Sequence, residues 1–267
     1  MIVVLLRIVI IQHNNPYKLK ATFQIMQLKL DNPKIFADII SIISELVTEV
    51  KLKVTKEGLS LTAIDPANVA MVYFKLPSDL FSQFEVPNDE ILGLSLENLK
   101  AVLRRCQLGS SLTLSKQDNT LNISIQDKIK RDFTLALLDI DAEEKELPVW
   151  EFKSVIKMSA DSFVSVIEDC SIVSDACTFI AEPNKFTVEA KGPLNSARAQ
   201  FSSDEVEIHS DFSTARFSLE YLNKFAKGSK ISSNVSLNFS DNHPMRINFP
   251  TGNVMLSFIL APRIEQD

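Results

Sequence analysis

The pattern of apolar and polar positions predicts a chain of many β-strands and a few amphipathic helices. Strand-like alternation of period two occupies four clear segments: 51–54, 59–63, 177–181 and 186–190. After Ser95 the period becomes three to four, so one helix face is apolar: Leu96, Leu99, Val102, Leu103 and Cys106. Further helices are predicted to begin after Asp31 or Asn32 as the cap, with Pro33 in the first turn, and at Ser159 and Ser218. The predicted fold class is α+β, with helices covering one face of the strands.

One apolar stretch carries a polar interruption. In LTAIDPANVAMVYFKLP, residues 61–77, alternating apolar residues flank the sequence DPAN at 65–68, which we call the elbow. Proline gives a strand ladder no N–H group, and Asp and Asn favour turns. Asp65 has no partner nearby in the sequence. We therefore interpret it as a turn former rather than as a catalytic carboxylate.

The chain contains an internal duplication. Shifted by 127 residues, the segment 31–63 aligns without a gap on 158–190. This shift aligns the apolar residues Phe36 on Phe163 and Leu61 on Val188. Shifted by 123 residues, the segment 95–99 aligns on 218–222. This second shift aligns later strand residues: Leu114 on Leu237, and Phe133, Leu135 and Leu137 on Leu256, Phe258 and Leu260.

We interpret the chain as two copies of one α+β domain, at 26–138 and 152–267, joined by a linker at 139–151. The linker is acidic, and Pro148 interrupts regular structure. Leu147, Trp150 and Phe152 are apolar, so we expect this segment to lie on a surface rather than to extend freely into solvent. Residues 1–25 are interpreted as an upstream extension, with Met26 as an alternative start. Its apolar run is broken by Arg7 and is too short to span a bilayer.

Composition narrows the functional classes. The formal net charge of -6 argues against a generic basic nucleic-acid binder, although it says nothing about local patches. The three cysteines, Cys106, Cys170 and Cys177, lie in apolar segments and are interpreted as reduced core residues. No other segment is predicted to be transmembrane.

The motifs of several enzyme classes are missing from the sequence. It contains no glycine-rich phosphate loop and no nucleophile signature. His13, His209 and His243 are far apart, and none has a cysteine at metal-ligand spacing. We therefore predict no catalytic residue, no metal and no cofactor. An α+β enzyme with a site assembled from distant residues stays open as an alternative.

The free faces of two helices carry cations in both copies: Lys100, Arg104, Arg105, Lys224, Lys227 and Lys230. A solvated helix face would explain either helix alone. The repetition favours a polyanion partner, for which phosphate contacts need only positive charge. Because no aromatic stacking platform accompanies the cations, duplex binding is favoured over single strands. The first helix of each copy carries acids, including Asp38, Glu45 and Glu168, so the positive field is partial.

Four segments together resemble one known family, the DNA sliding clamps of the proliferating cell nuclear antigen type, and most of all its archaeal members. They are LTAIDPANVAMVYFKLP at 61–77, LLDIDAEEKELPVWEF at 137–152, SLEYLNKFAKGSKISSNVSL at 218–237 and LAPRIEQD at 260–267. The resemblance implies two similar domains per subunit and a closed ring of three subunits. Strands then form the outside, and helices line a hole around duplex DNA. The resemblance also implies that the six cations on the two helix faces contact the DNA.

The resemblance also implies a pocket for partner peptides on the outer face, built from the elbow, the linker and the C-terminal tail. The matching residues are Ile64, Val69, Leu147, Pro148, Phe152, Pro244, Ala261 and Pro262. Implied partners are DNA polymerase, flap endonuclease, DNA ligase and the clamp loader. Ordinary core and turn residues are the alternative interpretation. The implied location is the nucleoid of an archaeal cytoplasm, or the nucleus of a eukaryote.

Subunit contacts implied by the resemblance join strand to strand, which leaves no exposed sheet edge. The matching residues are Ile129, Arg131, Phe133, Glu168, Asp169, Ala197, Ala199 and Phe201. We hypothesise that Arg131 of one subunit forms an ion pair with Glu168 or Asp169 of the next. A subunit of a heterotrimeric replicative or checkpoint clamp remains an alternative to a homotrimer.

Overall fold

The computed structural model describes residues 25–141 and 145–264, and within them eleven elements occur twice in the same order. The first set is β1 Gln27–Leu30, α1 Lys34–Ile43, β2 Glu49–Thr55, β3 Gly58–Ile64, β4 Ala70–Pro77, β5 Gln83–Glu85, β6 Glu90–Ser95, α2 Leu96–Leu103, β7 Ser111–Gln117, β8 Thr120–Gln126 and β9 Lys130–Ala136. The second set is β10 Ser154–Ser159, α3 Ala160–Ser171, β11 Ala176–Glu182, β12 Lys185–Lys191, β13 Ser196–Ser202, β14 Glu207–Ser210, β15 Ser213–Ser218, α4 Leu219–Ala226, β16 Asn234–Phe239, β17 Met245–Asn248 and β18 Met255–Leu260. The predicted α+β fold class and the duplication are confirmed.

The sheets repeat the duplication. One five-stranded sheet has the order β5-β1-β7-β8-β9, and one four-stranded sheet has the order β13-β12-β11-β15. The third sheet has nine strands, in the order β14-β10-β16-β17-β18-β4-β3-β2-β6. Its strands β14-β10-β16-β17-β18 come from the second domain and correspond to the five-stranded sheet. Its strands β4-β3-β2-β6 come from the first domain and correspond to the four-stranded sheet. The domain boundary is thus crossed by a continuous sheet.

Strands β18 and β4 form this junction by antiparallel pairing. Leu256 lies opposite Phe74, Phe258 opposite Val72, and Leu260 opposite Ala70. All six side chains are buried. Their counterparts in the other copy are β9 and β13, each of which pairs on one side only within the described residues.

The helices pack on the core face of the sheets through long apolar side chains. Phe225 of α4 stacks on Phe258 with ring centroids 4.4 Å apart, and Phe249 meets the same ring at 6.2 Å. Gly228 follows α4 in a short 3-10 turn, Lys227–Lys230. A Cβ atom there would lie 2.5 Å from the Phe249 ring, so this close approach requires glycine.

Strand register corrects one part of the sequence alignment. Leu114 pairs with Ile123 and Ile123 with Phe133, whereas Leu237 pairs with Ile247 and Ile247 with Phe258. Phe133 therefore matches Phe258, not Leu256. The physical reason is that the turns between these strands are longer in the second copy, which a constant shift cannot represent.

A similar correction applies to the strand after the elbow. Leu61 pairs with Phe74, whereas its counterpart Val188 pairs with Ala199. Ala199 therefore occupies the position of Phe74, because the elbow makes the first copy's loop longer.

Helix starts follow the predicted capping residues in part. The side-chain oxygens of Ser95 and Ser159 accept backbone N–H bonds at 3.4 and 3.0 Å, whereas Ser218 makes no such bond. Pro33 is the N-cap of α1, and the second helix ends at Leu103 rather than at Cys106. Cys170 and Cys177 are buried and Cys106 is half-buried, all as free thiols.

Within the described residues, no helix has both the length and the apolar character needed to cross a membrane. The predicted extension lies outside the described residues except for Ile25, as do residues 142–144 of the linker and 265–267 of the tail.

Removing the Phe258 ring tests the packing beneath the junction. Phe258→Ala leaves a cavity between Phe225 and Phe249, and we expect the free energy of unfolding to fall by about 3–5 kcal/mol. Urea unfolding at fixed protein concentration measures this. Met255→Ala, on the same strand but 46% exposed, is the matched control and should have little effect. Equal effects of the two substitutions would contradict the assigned core.

Candidate functional site

The elbow is organised around a buried carboxylate. Asp65 is 6% exposed, and its Oδ1 accepts hydrogen bonds from the backbone N–H groups of Val69 and Ala70 at 2.8 and 2.6 Å. Its Oδ2 accepts from the backbone of Ala67 at 3.1 Å and from the hydroxyl of Tyr221 at 2.6 Å. The sequence offered Asp65 no side-chain partner nearby, and the partner that the structure shows, Tyr221, comes from α4 of the other domain.

These bonds decide the protonation of the pair. Burial by itself would raise the pKa of Asp65, but the bonds from Tyr221 and from the three backbone N–H groups outweigh it and lower that pKa. Burial, together with the bond to Asp65, raises the pKa of Tyr221 to about 12. At neutral pH the pair is therefore an ionised carboxylate and a protonated phenol.

The elbow lies beside two segments that are remote from it in the sequence. The backbone N–H of Ala261 donates to the carbonyl of Val69 at 2.9 Å. Leu260 lies opposite both Ala70 and Met245 in the sheet, so Pro244 lies at the same end of neighbouring strands. Val69, Pro244, Ala261 and Pro262 are all half-buried. The structure thus brings together the elbow, the start of β17 and the tail.

A row of side chains crosses the outer face of the sheet next to this point. Ile64 lies opposite Met71, Met71 opposite Ile259, and Ile259 opposite Arg246. The first three form an apolar strip on the sheet face opposite the helices. Met71, Ile259 and Arg246 were missed in the sequence analysis. For Met71 and Ile259, apolar character on the non-core phase of the alternation was the available signal.

The linker is held on the same outer face. The Arg246 guanidinium lies 5.8 Å from the centre of the Phe152 ring and donates a hydrogen bond to the carbonyl of Pro148. Trp150 packs edge-on against His243, with ring centres 4.9 Å apart. The linker therefore has the docking surface that its apolar residues predicted. Leu147 and Pro148 are half-buried there.

Two of the predicted DNA-facing cations share one acid. Lys227 Nζ lies 2.9 Å from Glu45, and Lys100 Nζ lies 3.6 Å from it and donates to the Ser44 hydroxyl at 2.8 Å. The hydrogen bond from Lys227 is the largest cause of the lowered pKa of Glu45, against the opposing effect of burial. Lys100 of the first copy and Lys227 of the second therefore lie on the same side of the molecule, and Glu45 offsets one of their two positive charges.

The remaining predicted cations differ in their surroundings. Lys224 pairs with Glu220 at 2.9 Å and lies 5.1 Å from the centre of the Tyr221 ring. Arg104, Arg105 and Lys230 are exposed and form no ion pair with any described residue. These three are the members of the set without an ion pair among the described residues.

A cavity lies beside β13, at an edge of the four-stranded sheet. About 310 Å³ of space lies between β13 and α3, lined by Val166, Asp169, Cys170, Ile172, Val173 and Ala197–Ala199. Ile172 beside it is 80% exposed, and Ile129 near the opposite edge is 60% exposed. Arg131 on β9 pairs with Asp127 at 2.8 Å. Glu168 is exposed on α3 but does not line the cavity.

No cluster of three or more His, Cys, Asp or Glu residues in 25–141 and 145–264 could hold a metal ion.

Comparison with family models accounts for both halves of the chain. Residues 25–145 match the model described as proliferating cell nuclear antigen, N-terminal domain, and residues 146–264 match the model of its C-terminal domain. The chain belongs to the proliferating cell nuclear antigen family.

Individual members of the proliferating cell nuclear antigen family support this assignment. The chain is 32% identical over 247 residues to the DNA polymerase sliding clamp of Pyrococcus abyssi, covering 90% of this chain and 99% of that protein. It is 33% identical over 243 residues to DNA polymerase sliding clamp 1 of Thermococcus kodakarensis, covering 88% and 97%. A crystal structure of proliferating cellular nuclear antigen from Entamoeba histolytica has the same fold, with a TM-score of 0.84 at 24% identity over 90% of this chain and 99% of that one.

Releasing the linker tests its attachment. Arg246→Met removes both the contact with Phe152 and the bond to Pro148, so Trp150 should become more exposed. Because Trp150 is the chain's single tryptophan, we expect its emission to shift to the red and its quenching by acrylamide to increase. The free energy of unfolding should change by less than about 1 kcal/mol. Lys157→Met, an exposed cation of the same domain, should change neither signal. Unaltered fluorescence of Arg246→Met would disprove the assigned anchor.

Proposed function

We propose that this chain is a DNA sliding clamp, a processivity factor that encircles duplex DNA and holds partner enzymes on it without catalysing a reaction. Family membership and the names of the archaeal relatives support the proposal. The structural observation that carries it is the internal junction. One β18–β4 junction is complete within the chain, while each of the two counterpart strands has one unpaired side in the part of the chain that the structure describes.

Repeating the internal junction between chains generates a ring. Strand β9 of one copy would pair with β13 of the next as β18 pairs with β4. Such a contact is head-to-tail. Repeating it produces a closed ring when the rotation between neighbouring subunits is a whole-number fraction of a full turn. Three copies then supply six similar domains, and the open sides of β9 and β13 are paired in each contact. The helices, all on the core side of the sheets, line the inside.

The internal register predicts the contacts of this interface. Arg131 would lie opposite Ala199 and Phe133 opposite Ala197, as Leu256 lies opposite Phe74 and Phe258 opposite Val72. Alanines at these positions of β13 leave the cavity beside α3 open. We infer that Phe133 of a second copy fills it. Arg131 then approaches Asp169, which lines that cavity, rather than Glu168.

The inner surface is suited to holding duplex DNA loosely. Arg104, Arg105 and Lys230 offer free positive charge, whereas Lys100, Lys224 and Lys227 are paired with Glu220 or Glu45. Phosphate contacts give binding without sequence preference. A closed ring needs no strong contacts to stay on DNA, and weak ones permit sliding.

The outer pocket is suited to a short peptide. Ile64, Met71 and Ile259 provide an apolar floor, bordered by the elbow, the tail and the anchored linker. Aromatic anchors from a partner gain most of their binding energy in a preformed apolar site of this kind. We propose that DNA polymerase, flap endonuclease, DNA ligase and the clamp loader bind here.

Charge reversal tests the subunit interface. Arg131→Glu and Asp169→Arg should each convert the trimer into monomers, because each places like charges across the junction. Combining the two should restore the trimer. Light scattering after size exclusion measures the mass, and Glu168→Arg, on the exposed face of the same helix, is the comparison. A trimer unaffected by Arg131→Glu would refute the pairing, and a wild-type monomer or dimer would favour a heterotrimeric clamp.

Neutralising cations tests the DNA surface and the proposed function. Arg104→Gln with Arg105→Gln should lower the length of DNA that a polymerase extends per binding event. The slope of log affinity against log salt should fall by about 1 per residue lost. Lys100→Gln should have a smaller effect because Lys100 lies beside the negative charge of Glu45, and Glu45→Gln should strengthen DNA binding. If wild type fails to stimulate a polymerase on DNA onto which it has been loaded, the clamp proposal is wrong.

A further inference from the structure

Tyr221 connects the helix layer of the second domain to the elbow of the first. It lies on α4, 156 residues from Asp65 in the sequence, and its hydroxyl donates to that carboxylate at 2.6 Å. Its ring is half-buried, lies 6.3 Å from the Phe225 ring and is covered by the Lys224 ammonium group. Neighbouring side chains therefore fix the direction in which the hydroxyl points.

The carboxylate that accepts this bond determines the shape of the elbow. Three backbone N–H groups, of Ala67, Val69 and Ala70, converge on it. Asn68 between them has a φ of 56°, in the left-handed region that is unfavourable for most residues. Val69 in turn accepts the N–H of Ala261 from the tail. Moving Asp65 would thus disturb both the elbow and its contact with the tail.

The other copy lacks both members of this pair. Gly192 occupies the position of Asp65 in the alignment, and Asn98 occupies that of Tyr221. The backbone N–H of Gly192 bonds instead to the carbonyl of Asn195. The bond therefore does not belong to the domain fold as such, because a domain with the same topology forms without it. It occurs at the junction that carries the pocket.

We propose that Tyr221 is a positioning residue for the partner pocket, which holds the elbow in its binding shape through Asp65 from across the domain boundary. This inference rests on the proposed function of that pocket. The phenol is a suitable donor because it is protonated at physiological pH, and burial and the bond to Asp65 raise its pKa further, to about 12. Glu220 and Lys224 are the charged groups of α4 close to the ring.

The test measures binding of a fluorescently labelled synthetic peptide that carries one aliphatic and two adjacent aromatic anchors. Tyr221→Phe keeps the ring and removes only the donor, and we expect the peptide affinity to fall about tenfold. Tyr73→Phe, on the outer face of β4, is the matched control and should bind as wild type does. Trimer mass and circular dichroism should be the same for all three proteins.

A double-mutant cycle distinguishes positioning through Asp65 from a general effect on α4. In the background of Asp65→Ala, which also weakens the peptide, Tyr221→Phe should cause no further loss. Ultraviolet titration supplies a second readout, because Asp65→Ala should bring the tyrosine that ionises at about 12 back towards the ordinary value of 10.0.

The outcomes separate the inference from the function on which it rests. Wild-type affinity in Tyr221→Phe, or a full additional loss in the Asp65→Ala background, would overturn the role of Tyr221 and leave the pocket intact. A peptide that does not bind wild type, or that binds Pro148→Glu equally well, would overturn the pocket itself and the inference with it.

Discussion

Backbone pairing between β18 and β4 is the contact on which the rest of the structure depends. It merges strands from the two domains into one sheet of nine and places Phe258 over the domain boundary, between Phe225 and Phe249. Because this pairing brings the end of β18 beside the start of β4, the tail reaches the elbow. It also brings α4 close enough for Tyr221 to reach Asp65. The features of the pocket are thus consequences of one strand register.

The two copies share a topology but differ where they meet other chain segments. At the internal junction, large side chains such as Phe74 fill the space over the strands, and Lys227 pairs with Glu45. At the counterpart edge, Ala199 stands in place of Phe74, and Ile172, aligned with Glu45, is exposed. A junction inside one chain can be completed by its own side chains. At the counterpart edge the smaller side chains leave the cavity beside α3, which is the space that the proposed subunit contact would fill.

Positive charge on the helix side is partly balanced by acidic side chains of the same chain. The net charge is -6, and Glu45 and Glu220 pair with three of the six predicted cations. Exposed pairs of this kind add little to stability. Their larger effect is to weaken the positive electrostatic potential near the paired cations. Arg104, Arg105 and Lys230 then contribute most of the positive potential that a phosphate group would meet. This distribution agrees with a protein that keeps hold of its proposed partner by encircling it.

The sequence by itself determined the α+β class, the duplication and the positions of the four helices and of several strands, because hydrophobic periodicity and capping are local properties that repeat at a fixed distance. It also indicated that the linker needs a surface, since Trp150 and Phe152 are too apolar for solvent. The shift in register at Phe133 and Ala199 was decided only by the tertiary structure, because turn lengths differ between the copies. The same is true of the partners of Asp65, Glu45 and Arg246. Tyr221, Lys227 and Pro148 are far from them along the chain, and only the pairing of β18 with β4 and the packing of the helices and linker bring such side chains within hydrogen-bonding distance.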